Sequence, residues 1–264
     1  MYYERKSIAS NNRIIEIFPD GLFHVHTYRC KHAGEDSDES YIKRAIELGK
    51  KEIVFTDHAP FPGNPFGNRM DYEELSEYIA SLSELKEKYS DRISVLIGLE
   101  VEYLSSFTDY YKELSEIKAL EWLIIGQHMY EHVPGIYSFS DSNEVKDKTE
   151  YIGLCEAMID GMETGMFRAV AHPDRAFRRC KVWNEDMQKL SRRLIDTTLR
   201  NNIVLEKNMA SMRQKHHYWD EFWRLLNSIL EEDHEKRAYV VRGVDAHSVE
   251  ELRSKALIPF NKSI

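Results

Sequence analysis

The seven residues GLFHVHT, at positions 21–27, decide the fold class once they are compared with six similar stretches of the chain. This stretch begins with apolar residues and contains two histidines near its end. The other short apolar runs occupy residues 52–57, 93–100, 122–127, 167–172, 202–208 and 238–245. Continuous apolar runs of this length are typical of strands that are buried on both faces, as the strands of parallel sheets are.

Longer amphipathic stretches separate these runs and predict helices at residues 37–50, 72–89, 108–117, 143–164, 184–200, 217–232 and 248–255. Repeated alternation of strands and helices predicts an α/β fold with one closed or nearly closed barrel, and a doubly wound open sheet is the alternative. The chain has 264 residues, of which 42% are hydrophobic, and this is sufficient for a single barrel domain over residues 1–264.

The composition restricts the possible partners and the compartment. The formal net charge of −9 makes nucleic acid an unlikely partner, because proteins that bind a phosphate backbone usually carry an excess of basic residues. The sequence contains no run of about 18 apolar residues, so no membrane span is expected, and its first residues do not resemble a secretory signal. Three widely spaced cysteines, Cys30, Cys155 and Cys180, predict a reducing compartment, for which the cytoplasm is the default. The sequence does not indicate an oligomeric state.

Each predicted strand ends in side chains that can bind a metal ion or transfer a proton. In an α/β barrel, the loops at the carboxyl ends of the strands converge on one mouth, where chemistry takes place. Eleven histidines scattered at random would not select this end repeatedly. The residues concerned are His24, His26, Asp57, His58, Glu100, His128, His172, Asp174, Glu206, Asn208, Asp245 and His247.

The pair His24 and His26 is the first sign of a metal site. Residues two apart on a strand point to the same face, so both imidazoles can enter the barrel mouth. An H-x-H pair suits a borderline cation such as zinc, or manganese or iron. With Glu100, Asp245 and the histidines of other strands, the set is too rich for one ion. A carboxylate such as Glu100 can bridge two cations, which lower the pKa of a bound water to about 7 and stabilise the oxygens of a phosphoryl transfer.

The motifs HVH at 24–26, TDH at 56–58, GLE at 98–100, His128, HPD at 172–174 and GVDAH at 243–247 resemble those of the PHP (polymerase and histidinol phosphatase) superfamily. The resemblance extends from Gly21 to His247 and keeps the order of the family's motifs. It implies a distorted (β/α)7 barrel, a single PHP-type domain and a trinuclear metal site at the carboxyl ends of the strands. The cations would be zinc, manganese or iron, because the ligand set suits several metals.

Carried over by position, the resemblance implies three sets of ligands. The first cation would bind His24, His26, Glu100 and Asp245. The second would bind Glu100, His128 and His172, and the third would bind His32, His58 and His247. His32 lies in a loop, and only the resemblance gives it a role. Asp57 and Asp174 are candidates for orienting ligand histidines by accepting their second ring N–H.

Within the superfamily, the chain most resembles the monofunctional histidinol-phosphate phosphatases, which have an arginine after the fifth-strand histidine and a Glu-x-Asn-x-x-x-x-Arg segment on strand six. Here Arg175, Arg178 and Arg179 follow His172, and Arg213 follows the Glu206-x-Asn208 segment. A planar guanidinium suits phosphate oxygens, which makes Arg178, Arg179 and Arg213 the candidates for binding a phosphate dianion. Lys207 and Gln127 depart from the residues usual at these positions of the family.

The resemblance predicts a phosphatase that converts L-histidinol phosphate to L-histidinol and phosphate in histidine biosynthesis, with metal-activated hydroxide as the nucleophile. Glu100, Asp245 and His247 are its candidate catalytic residues. A second hypothesis is a PHP phosphoesterase that acts on nucleotides or nucleic-acid ends. A third is a non-catalytic metal-binding module, against which the completeness of the ligand set argues. The loop FPGNPFG at 61–67 is interpreted as a lid over the mouth or as a simple connection, and Glu102 either reaches the mouth or lies at the surface.

Overall fold

The computed structural model describes residues 13–139, 148–214 and 216–256. Within these ranges lie the strands β1 (Ile14–Glu16), β2 (Gly21–Val25), β3 (Glu52–His58), β4 (Ser94–Val101), β5 (Trp122–Ile125), β6 (Met129–Val133), β7 (Ile136–Phe139), β8 (Ala169–Val170), β9 (Val204–Asn208) and β10 (Ala238–Ala246). The α-helices are α1 (Asp38–Glu47), α2 (Leu75–Lys88), α3 (Thr108–Glu116), α4 (Lys148–Glu163), α5 (Glu185–Asn201), α6 (Asp220–Glu232) and α7 (Val249–Ala256).

Seven parallel strands close into a barrel in the order β2, β3, β4, β5, β8, β9 and β10, and β10 pairs again with β2. β1 pairs with the first residues of β10, ahead of the residues of β10 that pair with β2. One helix or more lies in each connection between successive barrel strands. The predicted α/β class and distorted (β/α)7 barrel are confirmed, and the alternative of an open sheet is excluded.

The barrel interior is apolar towards the amino ends of the strands. Phe23, Val54, Trp122 and Val241 belong to the buried cluster that fills it, and the ring centroids of Phe23 and Trp122 are 5.3 Å apart. A larger buried cluster packs the outer faces of the strands against the helices. Nearer the carboxyl ends of the same strands, His24 on β2 and Asp245 on β10 face each other, so the packed core carries a polar site at its mouth.

All seven predicted strands begin and end within two residues of the observed strands, although β8 contains only Ala169 and Val170 of the predicted run at 167–172. The backbone of His172 is left-handed, with φ 31°, and Pro173 begins a short 3-10 helix. Proline has no N–H to donate to a neighbouring strand, so β8 cannot continue through this position.

Two features were not predicted, namely β1 and the antiparallel hairpin of β6 and β7. The hairpin forms a separate two-stranded sheet. Its strands are short, and β7 has no buried residue, so they lack the continuous buried run by which the barrel strands were identified.

The helix predictions are confirmed within a few residues wherever the structure describes them. Residues 143–147, the predicted start of the fourth helix, lie outside the described residues, as do 1–12 and 257–264. The single domain over residues 1–264 therefore stays a prediction. Among the described helices, none is both long and apolar enough to cross a membrane.

Candidate metal centre

Polar side chains from all seven barrel strands, or from the residues directly after them, meet at the carboxyl end of the barrel. The central ones are buried, since His24 and His26 are 0% exposed, Glu100 is 1% exposed and His172 is 3% exposed. Buried ionisable groups are retained only when they are paired or bind metal ions. The convergence therefore defines the candidate functional site, which is buried and is not a solvated surface.

A β-bulge at His24 allows both histidines of β2 to face the interior. Phe23 pairs with Val54 and Val25 pairs with Phe55, so β2 carries one extra residue, His24, whose φ is 70°. Phe23 then belongs to the interior cluster, and Val25 belongs to the outer one. Simple alternation would have directed His24 away from the side of Phe23. The bulge removes this conflict, so alternation alone was an incomplete reason for the predicted orientation.

Glu100 lies at the centre of the site and is surrounded by imidazole nitrogens. Its Oε2 is 3.2 Å from His24 Nε2, 3.5 Å from His26 Nε2 and 3.1 Å from His58 Nδ1, and its Oε1 is 2.8 Å from His172 Nε2 and 3.9 Å from His128 Nε2. A glycine, Gly126, provides the space for this carboxylate, since a Cβ there would lie 1.8 Å from Glu100 Oε1.

The potential ligand atoms form several compact groups, within each of which all atoms lie within 4.8 Å of one another. The groups that contain only residues from the predicted ligand sets are His24, His26 and Asp245; His32, His58 and His247; and His24, Glu100 and His172. Asp245 Oδ1 is 3.5 Å from His26 Nε2 and 3.9 Å from His24 Nε2. The rings of His26 and His247 are stacked with centroids 4.2 Å apart, so the groups adjoin one another.

The donor set fits metal ions on a direct structural test. His24 Nε2, His26 Nε2 and His58 Nδ1 are buried and have no hydrogen-bond partner among the described residues, although all three lie near Glu100 Oε2. A buried nitrogen without a hydrogen bond is costly unless another partner takes its place. Imidazole nitrogens and carboxylate oxygens together are suitable ligands for zinc, manganese and iron.

Burial keeps most of the histidines in the form that binds metal ions. It lowers the pKa of each below its usual value and thereby preserves a lone pair on the ring. The shift is largest for His58, and it also applies to His26, His32 and His172.

The carboxylates of the site remain ionised and attract positive charge. Burial alone would raise the pKa of Glu100 and Asp245, but the neighbouring histidines hold both well below their usual range. Burial also opposes a proton on His24, yet Glu206, Glu100 and Asp245 raise the pKa of this histidine well above its usual value. The site therefore favours a positive charge near His24, as a proton or as a cation.

Glu206, on β9, accepts hydrogen bonds from two of the candidate ligands, His24 and His172, and orients them. Its Oε1 is 2.6 Å from His24 Nδ1, and its Oε2 accepts the backbone N–H of His172 at 2.8 Å and the side-chain amide of Asn208 at 3.2 Å. A carboxylate that accepts Nδ1–H leaves Nε2 of His24 free for a cation. Gly243 makes room for Glu206, since a Cβ there would lie 1.4 Å from Glu206 Oε1.

Cys30 and Asp57 form a comparable arrangement behind His26. The Cys30 sulfur is 3.3 Å from His26 Nδ1 and 3.2 Å from Asp57 Oδ1, and it accepts the backbone N–H of His58 at 3.1 Å. Asp57 Oδ1 also accepts the backbone N–H and the hydroxyl of Thr27, both at 2.9 Å. Asp57 is therefore linked to the candidate ligand His26 indirectly, through the thiol of Cys30. Asp174, the other predicted orienting residue, instead accepts the backbone N–H of Trp219 at 2.8 Å.

Glu102 is buried at 1% exposure, so the alternative that it lies at the surface is wrong. Its Oε1 is 3.2 Å from His128 Nδ1, and it forms an ion pair with the buried Arg69, whose Nη1 lies 2.8 Å from Glu102 Oε2. Burial would raise the pKa of Glu102, but Arg69 and His128 lower it to about 2.

The arginines after β8 and β9 lie at different distances from the cluster. Arg175 Nη1 is 3.9 Å from Asp245 Oδ2, and its side chain is partly exposed. Arg179 is an exposed residue whose Nε lies 3.3 Å from Glu150 Oε1, on α4. Arg178 is partly buried and Arg213 is exposed, at the end of a short 3-10 helix. Arg175 is thus within 4 Å of a candidate ligand, Asp245.

No role in the site was predicted from the sequence for Cys30 or Arg69. The sequence placed Gly243 in a family motif, and Glu206 at a strand end and in a family segment, without a function for either. Glu206 could have been identified from the sequence, because it is the first polar residue after the apolar part of a predicted buried strand. Cys30 and Arg69 lie in loops, where the sequence contains no periodic signal for direction.

Comparison with known proteins places these motifs in one family. The sequence profile of the PHP domain matches residues 23–210. The histidinol-phosphatase of Bacillus subtilis is 36% identical over 92 residues, which cover 33% of this chain and 34% of that protein. The chain spans between 34% and 59% of the length of the first curated relatives it matches.

Two solved structures share the fold. The hisK protein of Listeria monocytogenes superposes with a TM-score of 0.71 at 18% identity, covering 88% of this chain and 97% of that one. The histidinol phosphate phosphatase of Lactococcus lactis, in complex with Zn, L-histidinol and phosphate, has a TM-score of 0.65 at 17% identity, covering 89% of this chain and 91% of that one. Because the profile match spans more than half of the sequence and includes six of the seven barrel strands, the chain belongs to the PHP domain family.

Proposed function

We propose that this chain is a metal-dependent phosphatase that hydrolyses a small phosphate monoester, most specifically L-histidinol phosphate. The observation that carries the proposal is the arrangement of buried imidazoles around Glu100, with Glu100 Oε2 and Asp245 Oδ1 each 3.5 Å from His26 Nε2. Such a mixed nitrogen and oxygen set at a barrel mouth suits cations that assist phosphoryl transfer.

We propose three cation positions, two of which coincide with compact groups of ligand atoms. We assign the first to His24, His26, Glu100 and Asp245, and the third to His32, His58 and His247, in agreement with two of the compact groups. The second uses Glu100, His128 and His172, where His172 Nε2 is 2.8 Å and His128 Nε2 is 3.9 Å from Glu100 Oε1. Glu100 would then bridge the first and the second cation positions, because its two oxygens face different histidines. We propose zinc, manganese or iron as the metal, because these imidazole and carboxylate ligands suit all three.

Bound cations supply a water of lowered pKa and neutralise the charge on the phosphoryl oxygens. The chain's own residues complete the reaction. Glu100 and the neutral histidines hold the reacting centre in a buried position. Asp245 and His247 lie beside each other, with His247 Nδ1 3.7 Å from Asp245 Oδ1, and are the candidates for moving a proton to the leaving alkoxide oxygen.

An arginine would bind the phosphate dianion beside the cations. Arg175 is supported by its distance of 3.9 Å from Asp245 Oδ2 and by its partial exposure at the mouth. Arg178, Arg179 and Arg213 remain candidates from the sequence resemblance. A guanidinium here would donate two parallel hydrogen bonds to phosphoryl oxygens.

The choice of L-histidinol phosphate rests on the relatives. The Bacillus subtilis relative is a histidinol-phosphatase, and the Lactococcus lactis protein of the same fold binds zinc, L-histidinol and phosphate. We propose the same substrate for this chain, with a place in histidine biosynthesis and in the cytoplasm.

Phosphate release by purified protein loaded separately with zinc, manganese or iron tests the proposal. Histidinol phosphate, nucleoside monophosphates and short DNA are compared, and histidinol phosphate is expected to be turned over fastest. Faster release from nucleotides or DNA ends would favour the phosphoesterase alternative, and no release from any ester would refute enzymatic function.

Glu100→Gln tests the bridging position. It should abolish turnover and lower the metal content of the protein, because an amide cannot provide two anionic oxygens to two cations. Glu52→Gln is the matched control, since Glu52 is the first residue of β3 and lies at the opposite end of the barrel. An active, fully metallated Glu100→Gln variant would refute the role of Glu100.

A further inference from the structure

The loop at residues 59–71, between β3 and α2, contains a buried cation, Arg69, which is 7% exposed. All three nitrogens of its guanidinium are used. Nη1 donates to Ala59 O at 3.0 Å and to Glu102 Oε2 at 2.8 Å, Nη2 donates to Glu102 Oε1 at 3.3 Å, and Nε donates to Gly67 O at 3.2 Å. Arg69 thus connects both ends of its own loop to the carboxylate of Glu102.

Glu102 passes this connection on to a candidate metal ligand. Its Oε1 is 3.2 Å from Nδ1 of His128, and a carboxylate can only accept, so the proton of the neutral ring lies on Nδ1. Nε2 of His128 then has a free lone pair, and this is the nitrogen that faces Glu100. The orientation and the tautomer of His128 therefore depend on Glu102, whose position depends on Arg69.

The loop is packed, not free to swing. Phe61 and Phe66 lie under the guanidinium, with Arg69 Cζ 5.4 Å and 5.7 Å from their ring centroids. Phe66 also packs on Tyr137, in the hairpin that begins directly after His128, with ring centroids 5.0 Å apart. The backbone of Asn68 hydrogen-bonds to His32. The loop is therefore in contact with two of the proposed cation positions.

We propose that Arg69 is a positioning residue, which fixes the loop at 59–71 as a wall of the site and couples its placement to metal binding at His128 through Glu102. The loop is then a fixed, structural part of the site, which differs from both interpretations of its sequence, a lid over the mouth and a simple connection. The inference rests on the proposed metal site but not on the identity of the substrate.

Zinc affinity and protease resistance of Arg69→Met, Arg69→Lys and Glu102→Gln test this coupling. The chelator concentration that removes half of the bound zinc should fall about 10- to 100-fold, the usual effect of removing a residue that orients a ligand. In the metal-free proteins, chymotrypsin should cleave after Phe66 faster than in the wild type, because the loop has lost its buried ion pair. Arg193→Met is the control, since Arg193 forms a bidentate pair with Glu156 on exposed helix surfaces.

Unchanged zinc affinity and unchanged cleavage in a folded Arg69→Met protein would overturn the inference. Faster cleavage with unchanged zinc affinity would also overturn it, because the loop would then move without affecting His128. If Arg69→Met does not fold, Arg69→Lys and Glu102→Gln decide the matter by the same two measurements. Neither measurement uses a phosphate ester, so the inference can fail while the phosphatase proposal holds, and the reverse.

Discussion

Replacing Glu206 by glutamine should weaken metal binding through a change in a single proton position. Glu206 accepts three hydrogen bonds, from His24 Nδ1 on one oxygen and from His172 N–H and Asn208 Nδ2 on the other. Glutamine offers only one accepting oxygen. A backbone N–H cannot be turned away, so we expect the amide oxygen to face His172 and Asn208 and the NH2 group to face His24.

The consequence falls on the ring of His24. With an NH2 donor opposite, Nδ1 must become the acceptor, and the proton moves to Nε2, the nitrogen that faces Glu100. To bind a cation, the ring must reverse this tautomer and leave two buried donors facing each other, at a cost of about 1–3 kcal/mol. This corresponds to a loss of about 5- to 150-fold in metal affinity, which includes the range of about 10- to 100-fold found for residues that orient metal ligands.

Competition with a chromophoric chelator measures the zinc affinity of wild type, Glu206→Gln and the control Glu52→Gln. Nitrogen-15 spectra of the histidine rings in the metal-free proteins report the tautomer of His24 once the pH is high enough for its ring to be neutral. We expect weaker binding and an Nε2–H tautomer in Glu206→Gln alone. Wild-type zinc affinity in this variant, with His24 still protonated on Nδ1, would refute the reasoning.

Three further predictions concern other parts of the chain. Gly126→Ala places a Cβ 1.8 Å from Glu100 Oε1, so it should lower the amount of bound zinc at least as much as the loss of one ligand would. Gly67→Ala is the control and should not lower it, because the space around Gly67 is open. Equal zinc contents in the two variants would contradict this prediction. Cys180 is partly exposed and the other two cysteines are buried, so a disulfide reagent should modify one thiol per native chain and three after denaturation. Hydrogen bonds from lysines and a tyrosine lower the pKa of Glu39 to about 2 from 4.5. Its ionised form therefore stabilises the fold above about pH 4.5 and this contribution is lost as the pH falls towards 2, so the destabilisation by Glu39→Gln in urea unfolding should shrink in acid, and a constant difference would count against it.

The pattern of apolar runs by itself predicted an α/β fold with a parallel sheet. Strands buried on both faces require covering helices, so a run such as 52–57 predicts a parallel strand. The runs left a doubly wound open sheet as the alternative to a barrel, and the closure of β10 on β2 in the structure decides between the two. The same runs placed Glu100, His172 and Asp245 at strand ends, because the carboxyl end of each strand is visible where the apolar run stops. The apolar runs did not predict the short hairpin after His128, because β7 has no buried residue.

The directions of the side chains were decided by the tertiary structure. The sequence contains no sign of the bulge at His24, because a bulge arises from the pairing of β2 with its neighbours and not from local preference. The same holds for Cys30 against His26 and for Arg69 against Glu102, because in each pair a loop places its residue against a residue at a strand end. A residue's period along a strand is a local property, whereas a hydrogen bond between a loop and a strand end depends on the closure of the whole barrel.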